Sequence, residues 1–283
     1  MTTLRSRPRP ALASLLALAG TLLLLPAPSS ASAGEASPSD WRWTVDAVVD
    51  AVAVGDVTLS PDGASVVFTR ARWRDEGAKP GAAHTNLWRV STSGGDPQRL
   101  TWADARDRRP RFSPDGSTIA FLSKRGEDAK GTRVHLLGSA GGEARPLTED
   151  RLSVTDLAWS PDGGKIAFVA QEPKSAEREE AEKAGRDEIV VDQNLRPRRL
   201  WIVDVATGDT TALTSLGDDS AWAFDWSPDG SALVAVVTEL NRTDDSYMFK
   251  RIRVLPLDGE GRDLVPIVGK VGEVAWSPDG KTV

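Results

Sequence analysis

The side chains able to do covalent or metal chemistry are few and poorly placed for it. The 283 residues include two histidines, His84 and His135, and no cysteine. A serine nucleophile needs a histidine within hydrogen-bond reach and an acid behind it. In α/β-hydrolases that serine sits in a strained G-x-S-x-G elbow, a pattern that does not occur here. His84 reads as a loop residue ahead of a strand and His135 as a residue inside one, so both are expected to be structural. The lack of thiols removes disulfides, thiolate metal sites, a cysteine nucleophile and a lipidated N-terminal cysteine. Asp218-Asp219 and Asp244-Asp245 lack the spaced oxygen ligands of a calcium loop and read as loop acids. Glu179-Glu180 lies in a charge run that reads as the solvated face of a helix. No zinc spacing, phosphate-binding glycine loop or dinucleotide fingerprint is present. The expectation is a chain with no catalytic, cofactor-binding or metal-binding residue, and no cofactor.

Five further aspartates share one setting. The tetrapeptide Ser-Pro-Asp-Gly occurs as Ser60-Pro61-Asp62-Gly63, Ser113-Pro114-Asp115-Gly116, Ser160-Pro161-Asp162-Gly163, Ser227-Pro228-Asp229-Gly230 and Ser277-Pro278-Asp279-Gly280, at spacings of 53, 47, 67 and 50 residues. Serine at the first position of a type I turn bonds back to the local backbone, proline pre-sets φ at the second, and glycine takes the left-handed conformation that closes a bulged hairpin. These twenty residues are therefore read as structural turns, and their aspartates as turn acids rather than a carboxylate cluster. A large apolar residue precedes each turn: Leu59, Phe112, Trp159, Trp226, Trp276. Their fixed place in the repeat favours packing between units over a stacking platform for sugar or nucleic acid.

The elements that carry these turns follow from the flanking pattern. A short apolar run follows each of the first four, as in Thr118-Ile119-Ala120-Phe121 and Lys165-Ile166-Ala167-Phe168. A second hairpin then turns at Gly94-Gly95, Gly141-Gly142, Thr207-Gly208 and Asp258-Gly259. Two hairpins in roughly 50 residues make a four-stranded antiparallel blade of a β-propeller. The fold expected is all-β, with four full blades and the start of a fifth over residues 59–283. A charged insertion at about 171–197 accounts for the long third spacing. Within it Lys174–Lys183 reads as a short helix, with Pro173 and Ser175 near its start and Gly185 at its end.

Acidic residues number 41 against 35 basic ones, a net charge of −6, which disfavours a general nucleic-acid binder. Residues 1–33 read as a Sec-type signal peptide. Arg5, Arg7 and Arg9 precede an apolar run from Ala11 to Leu25, too short to span a bilayer comfortably, and Ala31-Ser32-Ala33 supplies a cleavage site. A secreted or periplasmic location follows, with no membrane span after cleavage. Residues 34–58 read as a lead-in with a short helix at Trp43–Val49. Only Lys281-Thr282-Val283 follow the fifth turn, and an unpaired hairpin arm leaves backbone groups at an edge, so the chain is expected to be a truncated propeller.

These repeats resemble the WD-like Pro-Asp repeats of TolB and of the N-terminal propeller of prolyl oligopeptidase-family serine peptidases, including acylaminoacyl-peptidase-like and dipeptidyl-peptidase-like enzymes. The resemblance covers about residues 40–283. Trp43–Val49 leading into the first turn, Asn86-Leu87-Trp88-Arg89-Val90 with Gly94–Thr101, and Arg108-Arg109-Pro110-Arg111-Phe112 are similar to the peptidase branch. The resemblance implies a non-catalytic propeller that filters peptide substrates for a hydrolase domain absent from this sequence. The alternative is a periplasmic TolB-like propeller that binds a protein partner. A ligand- or carbohydrate-binding propeller is a third reading. In dipeptidyl-peptidases paired glutamates hold a substrate amine, but the residues around Glu179-Glu180 do not match that pattern.

Overall fold

The computed structural model describes residues 52–72, 83–126, 129–186, 188, 195–265 and 268–283. The signal-peptide reading and most of the lead-in, including its expected helix, lie outside the described residues.

Among the described residues sixteen strands form four antiparallel sheets of four, each built in chain order. The first contains β1 (Val54–Leu59), β2 (Ser65–Arg72), β3 (His84–Ser91) and β4 (Gln98–Arg99). The second contains β5 (Arg108–Phe112), β6 (Thr118–Ser123), β7 (Arg133–Gly138) and β8 (Arg145–Pro146). The third contains β9 (Ser153–Trp159), β10 (Lys165–Gln171), β11 (Arg198–Asp204) and β12 (Thr210–Ala212). The fourth contains β13 (Ser220–Trp226), β14 (Ala232–Thr238), β15 (Arg251–Pro256) and β16 (Arg262–Asp263). His84 opens β3 rather than lying in a loop, because its backbone pairs with Arg72.

The second strands of the two middle sheets, β6 and β10, are apolar on both faces because a sheet lies on each side. In β6, Ile119 and Phe121 pack toward the first sheet with Val67 and Leu87, while Ala120 and Leu122 join Val154, Leu157 and Phe168 of the third. In β10 the same alternation sends Phe168 one way, and Ala167 and Val169 toward Leu233 and Ala235 of the fourth. Each fully buried Phe or Leu contributes roughly 1.5–3 kcal/mol. First strands of consecutive sheets lie against one another: β1 on β5, β5 on β9, β9 on β13. Leu59 departs from its counterparts and is 57% exposed, as are Val54 and Val57 of the same strand, because no described sheet covers that side of β1.

Antiparallel order sorts the connections onto two ends. At one end lie the Ser-Pro-Asp-Gly turns and the glycine turns between third and fourth strands. At the other lie the longer links between second and third strands, and those from one sheet to the next. The third sheet's long link carries α1 (Ala176–Lys183), capped by Ser175 and with no buried residue. The fourth sheet's carries α2 (Thr243–Met248). Asp244 and Asp245 thus open a helical turn rather than sit in a loop, where negative charge suits the free amides. No helix among the described residues is long and apolar enough to cross a membrane.

Candidate functional site

The turn end satisfies itself. In every copy the serine hydroxyl donates to the aspartate Oδ1 at 2.5 to 2.7 Å. The serine Oγ in turn accepts from the amide five residues after the serine at 2.9 to 3.0 Å. Oδ1 also accepts from the amide two residues beyond it. The glycine, at φ +70 to +72, donates to the serine carbonyl. The serine hydroxyl, then the backbone amide, holds each of Asp62, Asp115, Asp162 and Asp279 below the ordinary carboxylate range, and lowers Asp229 to about 2. Successive turns also touch. A Cβ on Gly116, Gly163, Gly230 or Gly280 would meet Pro61, Pro114, Pro161 or Pro228 at 3.4 to 3.8 Å. The carboxylates are thus committed locally, far from one another's chemistry.

The residues before the turns tie sheet to sheet. Trp159 Nε1 donates to Arg111 O, and Trp226 Nε1 to Ala158 O. The Trp276 amide donates to Asp225 Oδ2, docking the fifth turn on β13. Leu59, Phe112, Trp159 and Trp226 line a cavity of about 480 Å³ to which all four first strands contribute.

The opposite end is irregular and rich in arginine. Each first strand carries a β-bulge there: after Gly55, after Arg108, near Thr155 and at Trp222. Bulges re-aim side chains. Asp56 (φ 38) and Arg109 (φ 51) are the non-glycine residues with positive φ among those described. Asp56 Oδ2 accepts from the Arg109 amide at 3.0 Å, and Arg109 Nη1 bonds Asp156 Oδ1 at 3.1 Å. Arg198 Nη2 donates to Thr155 Oγ1 at 3.0 Å, and its guanidinium stacks 4.7 Å from the Trp222 ring. Burial, then repulsion from Arg106 and Arg109, lowers the Arg108 pKa. Burial is also the main cause for Arg198, which Arg109 repels and Asp156 attracts. Both remain cationic at neutral pH.

Two other acids at this end are structural. Asp107 is wholly buried, accepting from both Arg125 Nη2 and Ser123 Oγ. Asp219 lies in the loop ahead of β13, as expected, and is buried between Arg251 and Arg253, because residues two apart on β15 share a face. His135 lies against Phe121, and burial, then Arg125, lowers its pKa to about 4. Glu179 and Glu180 lie exposed on α1. No group of three or more metal-ligating side chains occurs among the described residues. Sequence reasoning missed Asp56, Arg109, Asp156, Arg198 and Trp222 as a set; the Arg106–Arg111 run, four arginines in six residues, was its one visible trace.

No protein-family profile matches the chain. Over 218 residues it is 31% identical to the uncharacterised peptidase YuxL of Bacillus subtilis, covering 72% of this chain and 32% of that protein. The chain resembles a peptidase propeller. The acylaminoacyl peptidase of Pyrococcus horikoshii superposes with a TM-score of 0.54 at 15% identity, over 79% of this chain and 33% of that one. An oligogalacturonate lyase of Vibrio parahaemolyticus superposes at 0.55 and 15% identity, over 80% and 60%. TolB structures match at scores below 0.5. The four sheets are thus blades, and the fold alone spans several chemistries. The chain spans about a third of the length of the curated relative it matches.

Proposed function

We propose that this chain is the non-catalytic, substrate-gating propeller portion of a secreted prolyl oligopeptidase-like serine peptidase. The sequence match to a peptidase carries the reading. Peptide-bond cleavage by acyl transfer belongs in this reading to a serine in an α/β-hydrolase domain encoded outside these residues. The propeller admits and orients the peptide through its loop end. Residues 1–33 direct the protein across the membrane and are removed. The fifth turn at Ser277–Gly280 opens a further blade.

Extending the reading frame past codon 283 and expressing the longer protein tests this. The longer protein is expected to encode a G-x-S-x-G elbow, to hydrolyse chromogenic peptide substrates and to be labelled by a fluorophosphonate. The 283-residue chain is expected to do neither of the last two. Turnover by the purified chain, or a longer frame without a nucleophilic serine, contradicts the proposal. A stop codon at position 284 instead favours a partner-binding propeller, the TolB-like alternative.

A further inference from the structure

We propose that the bulged, arginine-rich mouth formed by Arg108, Arg109 and Arg198 is a binding site for the free carboxylate of a peptide. The proposal rests on the peptide-handling reading above and adds the group that is recognised.

The charge balance at this mouth is uneven. Arg109 and Arg198 meet from the second and third blades, since Asp156, bonded to Arg109, adjoins Thr155, bonded to Arg198; Arg108 precedes Arg109 at the bulge, and Asp56 and Asp156 are the carboxylates bonded there. Asp56 accepts from the Arg109 amide, and Asp156 accepts from both the Arg109 guanidinium and the Leu157 amide. Arg106 and Arg108 form no ion pair among the described residues. Arg198 reaches only the neutral Thr155 hydroxyl, and its Nε is buried with no hydrogen-bond partner. A buried donor without an acceptor is costly, more so when charged, so an unfilled guanidinium is an unfavourable arrangement for stability alone.

The geometry is also held in place. Arg109 keeps a left-handed backbone at φ 51, a type of strain found where surrounding structure fixes a functional group. Trp222 supports the plane of the Arg198 guanidinium, and the Lys250 ammonium lies on the same ring at 5.6 Å. A planar guanidinium fork matches a carboxylate in two parallel hydrogen bonds. Phosphate-rich partners are disfavoured by the chain's net charge of −6. A peptide presents the matching group at its C-terminus or on an acidic side chain.

Isothermal titration of the 283-residue chain separates these sources. The probes are acetyl-Ala-Ala-Phe, its C-terminal amide, and the amide of acetyl-Asp-Ala-Phe. Binding of the free acid at least tenfold tighter than its amide is expected. Tight binding of the Asp-containing amide instead identifies a side-chain carboxylate and supports the same site. Arg108→Gln and Arg198→Met, checked for an unchanged circular-dichroism spectrum, are each expected to weaken the carboxylate probe tenfold and leave the plain amide unaffected. Equal binding of acid and both amides overturns the carboxylate site while leaving peptide binding intact. Undiminished affinity in both variants overturns the assignment to these arginines. Binding of none of the probes overturns this site and the peptide-handling reading together.

Discussion

The two ends of the blades are built on opposite plans. At the turn end one tetrapeptide is used five times, and each copy closes its own hydrogen bonds within five residues. At the loop end no two links are alike, and the polar groups find partners across blades: Asp56 with Arg109, Arg109 with Asp156, Arg198 with Trp222. Local satisfaction makes a turn portable from blade to blade. Long-range satisfaction is less complete: it leaves the Arg198 Nε buried with no hydrogen-bond partner.

That contrast is sharpest at the acids. Asp107→Ala removes the acceptor for Arg125 and Ser123 inside the second blade and is expected to destabilise by about 3 kcal/mol in urea unfolding. Asp115→Ala, an exposed turn acid, is expected to shift the midpoint far less. Equal shifts break the distinction between the ends.

His135 gives the next effect. Its folded pKa of about 4 lies below the ordinary value near 6.5, so between those values the unfolded chain binds the proton and the native chain does not. Stability is full above about pH 6.5 and falls as pH drops toward 4, by roughly 2 kcal/mol. Comparing urea midpoints at pH 7 and pH 4.5 measures it. His135→Gln is expected to reduce the pH slope, and an unchanged slope assigns it to other groups.

Ser227→Ala removes the hydroxyl that accepts from the Ala232 amide and donates to Asp229, and is expected to cost about 1 kcal/mol. Ser160→Ala is expected to match it, since the turns are equivalent. Paired Glu179→Ala and Glu180→Ala on α1 is expected to stay within about 0.5 kcal/mol in thermal melts, because those side chains are solvated. A large loss there gives α1 a packing role that its exposure denies.

The blades were legible in the sequence because their chemistry is local. Serine, proline and glycine reveal a turn without knowledge of any distant residue, and Ile119-Ala120-Phe121 reveals a strand covered on both sides. The candidate site was not legible for the converse reason. Arg109 and Asp156 are 47 residues apart, Asp56 and Arg109 are 53 apart, and bulges bring them into reach. A bulge has no tetrapeptide signature. The burial of Asp219 was not legible either, because Arg251 and Arg253 lie more than thirty residues away. Leu59 shows the same limit in reverse: its place in the repeat equals that of Trp159, yet burial depends on the neighbouring sheet.

Hydrogen–deuterium exchange with and without acetyl-Ala-Ala-Phe tests the division of labour most directly. Recognition at the loop end predicts slowed exchange in residues 106–111, 155–157, 198–199 and 221–223, with residues 113–117, 160–164 and 227–231 unchanged. Protection confined to those turn segments contradicts it.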